Sequence, residues 1–80
     1  MQIAAQISLY PLRQERLSPT IEAAWKILED SQLGLEKGGM STTVTGETDR
    51  VFNALKEVFR VSAEKGPVSL VVTISNACPV

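Results

Sequence analysis

"MSTTVTGE", residues 40–47, is the stretch on which the fold turns. Four of its eight side chains carry hydroxyls, Ser41, Thr42, Thr43 and Thr45, within a chain otherwise rich in aliphatic residues. Read as a strand, it sends Ser41, Thr43 and Thr45 to one side of a sheet and Thr42 and Val44 to the other. What lies against each side is set by the elements before and after it.

Upstream, Gly38-Gly39 reads as a turn and Leu33-Gly34-Leu35 begins a short strand, so the two runs form a hairpin. Neither a P-loop nor a dinucleotide fingerprint surrounds these glycines. Downstream, Gly46 breaks the strand pattern and Thr48-Asp49 offers a helix N-cap. Val51, Phe52, Leu55, Phe59 and Ser62 then lie along one side of a helix from about 49 to 64, which Gly66-Pro67 ends.

The outer segments repeat this logic. Ile3, Ala5, Ile7 and Leu9 alternate with Gln2, Ala4, Gln6, Ser8 and Tyr10 in a strand that Pro11 stops. Ser18-Pro19 opens a helix from about 19 to 31, whose apolar stripe is Ile21, Ala24, Trp25 and Leu28. Val68, Leu70, Val72 and Ile74 alternate with Ser69, Val71, Thr73 and Ser75 in a last strand.

The order is therefore strand, helix, strand, strand, helix, strand. With right-handed crossovers this is the α+β ferredoxin-like arrangement: a four-stranded antiparallel sheet, spatial order 4-1-3-2, with both helices on one face. At 80 residues the chain is read as a single domain, residues 1–80, near the lower end of what one core stabilises, so self-association is expected to add burial.

Composition narrows the chemistry. Apolar residues at 44% and charged residues at 21% suit a folded globular chain. A formal charge of −1 supplies no field for a nucleic-acid backbone or an anionic membrane. The chain holds no histidine, which removes imidazole as base, acid or metal ligand and with it Ser-His and Cys-His nucleophile pairs. Cys78 is the single cysteine and has no basic neighbour to activate it. A lone cysteine, an opening MQIAAQISLYP without a basic n-region, and the absence of a long apolar run lead to the expectation of a cytoplasmic protein.

Parity then assigns the two faces of the sheet. The helices are expected to cover Ile3, Ile7, Leu9, Val44, Leu70, Val72 and Ile74. The other face collects Gln6, Ser8, Tyr10, Ser41, Thr43, Thr45, Ser69, Thr73 and Ser75, none of them charged. Such a face is in the simplest case only a solvated sheet surface. The absence of Lys and Glu among these nine points instead to an uncharged polar ligand held by directed hydrogen bonds, or to a partner subunit packed over it.

The chain resembles the YkoF-like thiamine-binding family of small ferredoxin-like proteins. The resemblance runs through "QISLYPL", Ser18-Pro19, "GGMSTTVTGE", "VFNALKEVF" and "VVTISN". Its strongest part is Gly39 to Gly46, which follows the family's pattern of a small residue, Met or Ser, then Ser/Asn-Thr-x-x-Glu-Gly, except that Thr45 stands where an acidic residue is usual. The resemblance implies non-catalytic binding of thiamine or its hydroxymethylpyrimidine moiety, with no other cofactor and no metal, by proteins that associate through their sheets into homodimers and homotetramers.

Under that implication the ligand-binding set is Gln6, Ser8, Tyr10, Met40, Ser41, Thr43, Glu47 and Asn76. Ser8, Thr43 and Asn76 pair with the edge of the aminopyrimidine, and Tyr10 or Met40 packs on its ring. For the thiazolium cation, either Glu47 replaces the acid missing at position 45 or the site favours the neutral pyrimidine. The rival readings are a regulatory module of similar topology that binds an amino acid or another metabolite, a small ferredoxin-like enzyme, and a structural protein whose polar face is only an interface. The enzyme reading lacks a histidine and an anion-binding loop.

Overall fold

The computed structural model describes residues 1–13, 16, 18–38 and 41–77. Its elements are β1 (Gln2–Pro11), α1 (Ser18–Asp30), β2 (Gly34–Lys37), β3 (Thr42–Glu47), α2 (Thr48–Glu64) and β4 (Val68–Ser75). The sheet runs β2-β3-β1-β4 with every neighbouring pair antiparallel, which is the expected ferredoxin-like order. Gly38 N–H donates to the Ser41 carbonyl at 2.8 Å and closes the β2–β3 hairpin.

The core lies between the sheet and the helix pair. Ile3, Ala5 and Ile7 of β1 and Val44 of β3 meet Ala24 and Leu28 of α1 and Val51, Ala54, Leu55 and Val58 of α2. Burial of each large side chain here stabilises the fold by about 1.5–3 kcal/mol. Trp25 is half-buried against this core, and the Lys37 ammonium lies 5.3 Å from its ring centre.

Three local expectations are corrected. β3 starts later than residue 40 and runs through Gly46 to Glu47, because Glu47 pairs with Gln2 at the end of the ladder. The helix after it is capped at Glu47 without any side-chain hydrogen bond. Thr48 instead sends both its N–H (3.0 Å) and its Oγ1 hydroxyl (2.8 Å) to the Met1 carbonyl, which ties the start of α2 to the start of β1.

The second correction concerns α2. Its buried arc is Val51, Ala54, Leu55, Val58 and Ser62, whereas Phe52 and Phe59 are 50% and 48% exposed. Each phenylalanine directly follows a buried valine and is rotated about 100° from it, beyond the edge of the arc. The third is Ile74, which shares the helix side with Ala5 by register yet is 40% exposed. It lies toward the end of an edge strand, with a sheet neighbour on one flank only.

One glycine is demanded by register. A Cβ built on Gly34 would collide with Oγ1 of Thr45, its partner across the hairpin. Gly66 is demanded by conformation: its φ of 143° follows the last turn of α2, where Lys65 N–H reaches the Ser62 carbonyl at 3.1 Å.

Leu28→Ala is expected to lower unfolding stability by about 2–5 kcal/mol, and Phe59→Ala by less than about 1 kcal/mol, in urea titrations followed by circular dichroism. Equal losses would contradict the burial assignment on α2. Gly34→Ala is expected to destabilise by about 1–3 kcal/mol through overpacking, and pairing it with Thr45→Ala to recover most of that loss. A double mutant no better than Gly34→Ala alone would place the strain elsewhere.

Candidate functional site

The side of the sheet away from the helices is built from rows that cross all four strands. One row is Gly34, Thr45, Ala4 and Ser75; the next is Glu36, Thr43, Gln6 and Thr73. Beyond them Ser8 faces Val71 and Tyr10 faces Ser69. The face therefore holds the hydroxyls and amides that parity assigns to it, on strands whose opposite sides are packed into the core.

It also holds a charge. β2 contributes Glu36, which is exposed and stands opposite Thr43. Reading three strands alone left this carboxylate out, so the face as a whole is not uncharged. Val71, 53% exposed, adds an apolar side chain next to Ser8.

The eight ligand candidates do not converge on one point. Gln6, Ser41 and Thr43 are contiguous: Gln6 pairs with Thr43, and its Nε2 donates to Ser41 Oγ at 3.2 Å. Ser8 and Tyr10 continue along β1 in one direction. Glu47 and Asn76 lie in the other, Glu47 opposite Gln2 and Asn76 just past β4. At about 3.4 Å per residue, roughly 27 Å of strand separates Gln2 from Tyr10. Met40 lies outside the described residues, as does Cys78.

The Glu47 end of the face is concave. A cavity of about 580 Å³ lies at this end of the sheet, lined on the open face by Ala4, Thr45, Gly34 and Ser75, at the strand ends by Gln2, Glu47 and Asn76, and toward the helices by Ile3, Leu33, Gly46 and Arg50. Its floor is the row of smallest side chains, and its size falls within the range of small-molecule sites. Ala4, Gly34 and Arg50 were not singled out from the sequence. The alternation placed Ala4 on the polar face, but only the strand register sets it beside Gly34 and Thr45.

Polar groups around this cavity are already linked. The Met1 amino group donates to the Glu47 carboxylate, and Asn76 Nδ2 lies 3.7 Å from Met1 Sδ. Ser75 Oγ accepts from Ala77 N–H at 3.0 Å, which turns the chain just beyond β4. A second cavity, about 430 Å³, lies on the helix side between α1 and the sheet. Trp25, Lys37, Leu28 and Ser41 are among its walls, and Lys37 is also 3.7 Å from a Glu29 oxygen.

Among the described residues no three His, Cys, Asp or Glu side chains converge as a metal site would require, and no helix is long and apolar enough to cross a membrane. Arg60 donates to Glu57 at 2.8 Å on the outer surface of α2 and holds that carboxyl below its ordinary value.

Comparison with known proteins agrees with this architecture. A protein from Streptococcus pneumoniae superposes with a TM-score of 0.90 at 22% identity, over 96% of this chain and 88% of that one. A hypothetical protein from Methanocaldococcus jannaschii gives 0.86 at 21%, over 99% and 84%. A protein from Thermotoga maritima, described as a "putative thiamine biosynthesis/salvage protein", gives 0.85 at 23%, over 96% and 85%. These likenesses establish the shared fold. No curated protein matches the chain. The YKOF-related Family matches residues 2–80, nearly the full length, and the chain belongs to that family.

Proposed function

We propose that this chain binds thiamine or its hydroxymethylpyrimidine moiety without catalysing a reaction, in the salvage or transport of thiamine precursors. The observation that carries the reading is the concave end of the polar face, where a floor of Gly34, Thr45, Ala4 and Ser75 adjoins the row holding Thr43 and Gln6. Membership of the family and the description of the Thermotoga maritima neighbour support the ligand class.

The chemistry is complementary. An aminopyrimidine offers ring nitrogens as acceptors and an exocyclic amine as donor, matched by the hydroxyls of Thr43 and Thr45 and by the amides of Gln6 and Asn76. A flat ring needs a floor without bulky side chains, and the exposed Gly34 beside Thr45 opens one. Ser8, Tyr10 and Ser41 extend the same polar face for the rest of the ligand set. A pocket that leaves such groups unpaired rejects near-isosteres, which gives selectivity without catalysis.

Self-association belongs to the same proposal, as a homodimer or homotetramer. β4 is an edge strand of eight residues, VSLVVTIS, with no charge and no proline, and Val71 and Ile74 are exposed on its two sides. Natural edges are commonly blunted by charge, proline or shortness, as the four-residue β2 is with Glu36 and Lys37. An unblunted edge accepts another β4 in antiparallel pairing. The single cysteine suits a cytoplasmic setting.

Thiamine or hydroxymethylpyrimidine is expected to raise the thermal midpoint in a dye-based melt, with no response to a panel of amino acids. A response to amino acids alone would favour the regulatory-module reading. Light scattering is expected to give a multiple of the 8.7 kDa chain mass, and Val71→Lys to shift the population toward monomer. A wild-type chain monomeric at high concentration would remove the edge pairing.

A further inference from the structure

Resting on the thiamine reading, we infer that Glu36 is the counter-charge for a cationic ring on the open face, and hence the residue that separates thiamine from its neutral pyrimidine half. Three observations orient it. Leu35 is half-buried against the core, and Lys37 lies over the Trp25 ring on the helix side. Glu36 stands between them in a strand and therefore projects to the opposite face, in register with Thr43.

Its surroundings there suit a cation. Gly34, two residues earlier on the same face, carries no side chain, so nothing on β2 stands between Glu36 and the cavity floor at Thr45. Among the described residues Glu36 takes part in no hydrogen bond or ion pair, whereas its neighbour Lys37 is near Glu29. The face's other carboxylate, Glu47, is engaged by the Met1 amino group. The acid absent at position 45 of β3 is thus supplied one strand away.

The span fits as well. Adjacent strands lie about 4.8 Å apart, so Glu36 and Gln6, separated by β3, are roughly 10 Å from each other. Two rings joined by one methylene bridge that distance, with the aminopyrimidine edge toward Gln6 and Thr43 and the thiazolium toward Glu36. A carboxylate at the open edge adds a coulombic attraction that neutral hydroxyls lack, without needing deep burial.

Calorimetric titration of wild type, Glu36→Gln and Glu47→Gln with thiamine and, separately, with hydroxymethylpyrimidine tests this. Glu36→Gln is expected to weaken thiamine by roughly three- to fivefold, to leave hydroxymethylpyrimidine within about 1.5-fold, and to flatten the salt dependence of thiamine binding. Glu47→Gln, at the cavity rim but already paired with the Met1 amino group, is expected to weaken thiamine less than Glu36→Gln does. Equal effects of Glu36→Gln on both ligands, no effect on thiamine, or a larger selective loss of thiamine in Glu47→Gln than in Glu36→Gln would overturn the assignment of Glu36 while leaving the binding reading intact. Wild-type protein that binds neither ligand overturns both.

Discussion

Everything in this fold depends on the pairing of β1 with β3. β1 is an interior strand, held by β3 on one flank and β4 on the other. Its register with β3 sets Ala5 against Val44 and Gln6 against Thr43. The first pair is sealed under the helices and the second faces outward. A slip of β1 by one residue against β3 would drive Gln6 into the core and bring Ile7 out, an exchange no compensating contact offsets. The oily face and the polar face are therefore one decision, made by β1 and β3 together.

That decision was legible in the sequence because it is periodic. Alternation in residues 2–10, 40–45 and 68–75 set the side on which each strand hydroxyl stands, and Ser18-Pro19 marked the start of the first helix and Gly66-Pro67 the end of the second. What stayed hidden depends on register or on the limits of a single stripe. Glu36 sits in a strand of four residues, too short for alternation to declare a face. The cavity floor joins Gly34, Thr45, Ala4 and Ser75 from four strands, and no local pattern relates residues so far apart in the chain. Phe52 and Phe59 are hydrophobic, as a buried stripe demands, but hydrophobicity alone does not resolve a 100° rotation on a helix already supplied with Val51, Leu55 and Val58.

Small side chains shape this face as much as polar ones. Ala4 is almost fully buried although it lies on the side away from the helices. Its methyl group is covered by its neighbours, while Gly34 removes a side chain from directly above Thr45. The concavity thus comes from the absence of atoms along one row, framed by longer side chains on the rows beside it. A rigid sheet holds that shape without requiring a loop to close over it.

The two uncovered surfaces of the sheet differ in what can drive association. The open face is rich in hydrogen-bonding groups and carries Glu36 and Glu47, so laying another protein surface over it would strand polar groups unless each were matched. The β4 edge is apolar on both sides at Val71 and Ile74 and presents backbone groups that a second strand satisfies in full. Burial in a chain of this length is limited, which favours extending the sheet laterally at that edge. Lateral growth leaves the polar face free, so in the proposed arrangement assembly and ligand binding use different surfaces of the same sheet and do not compete.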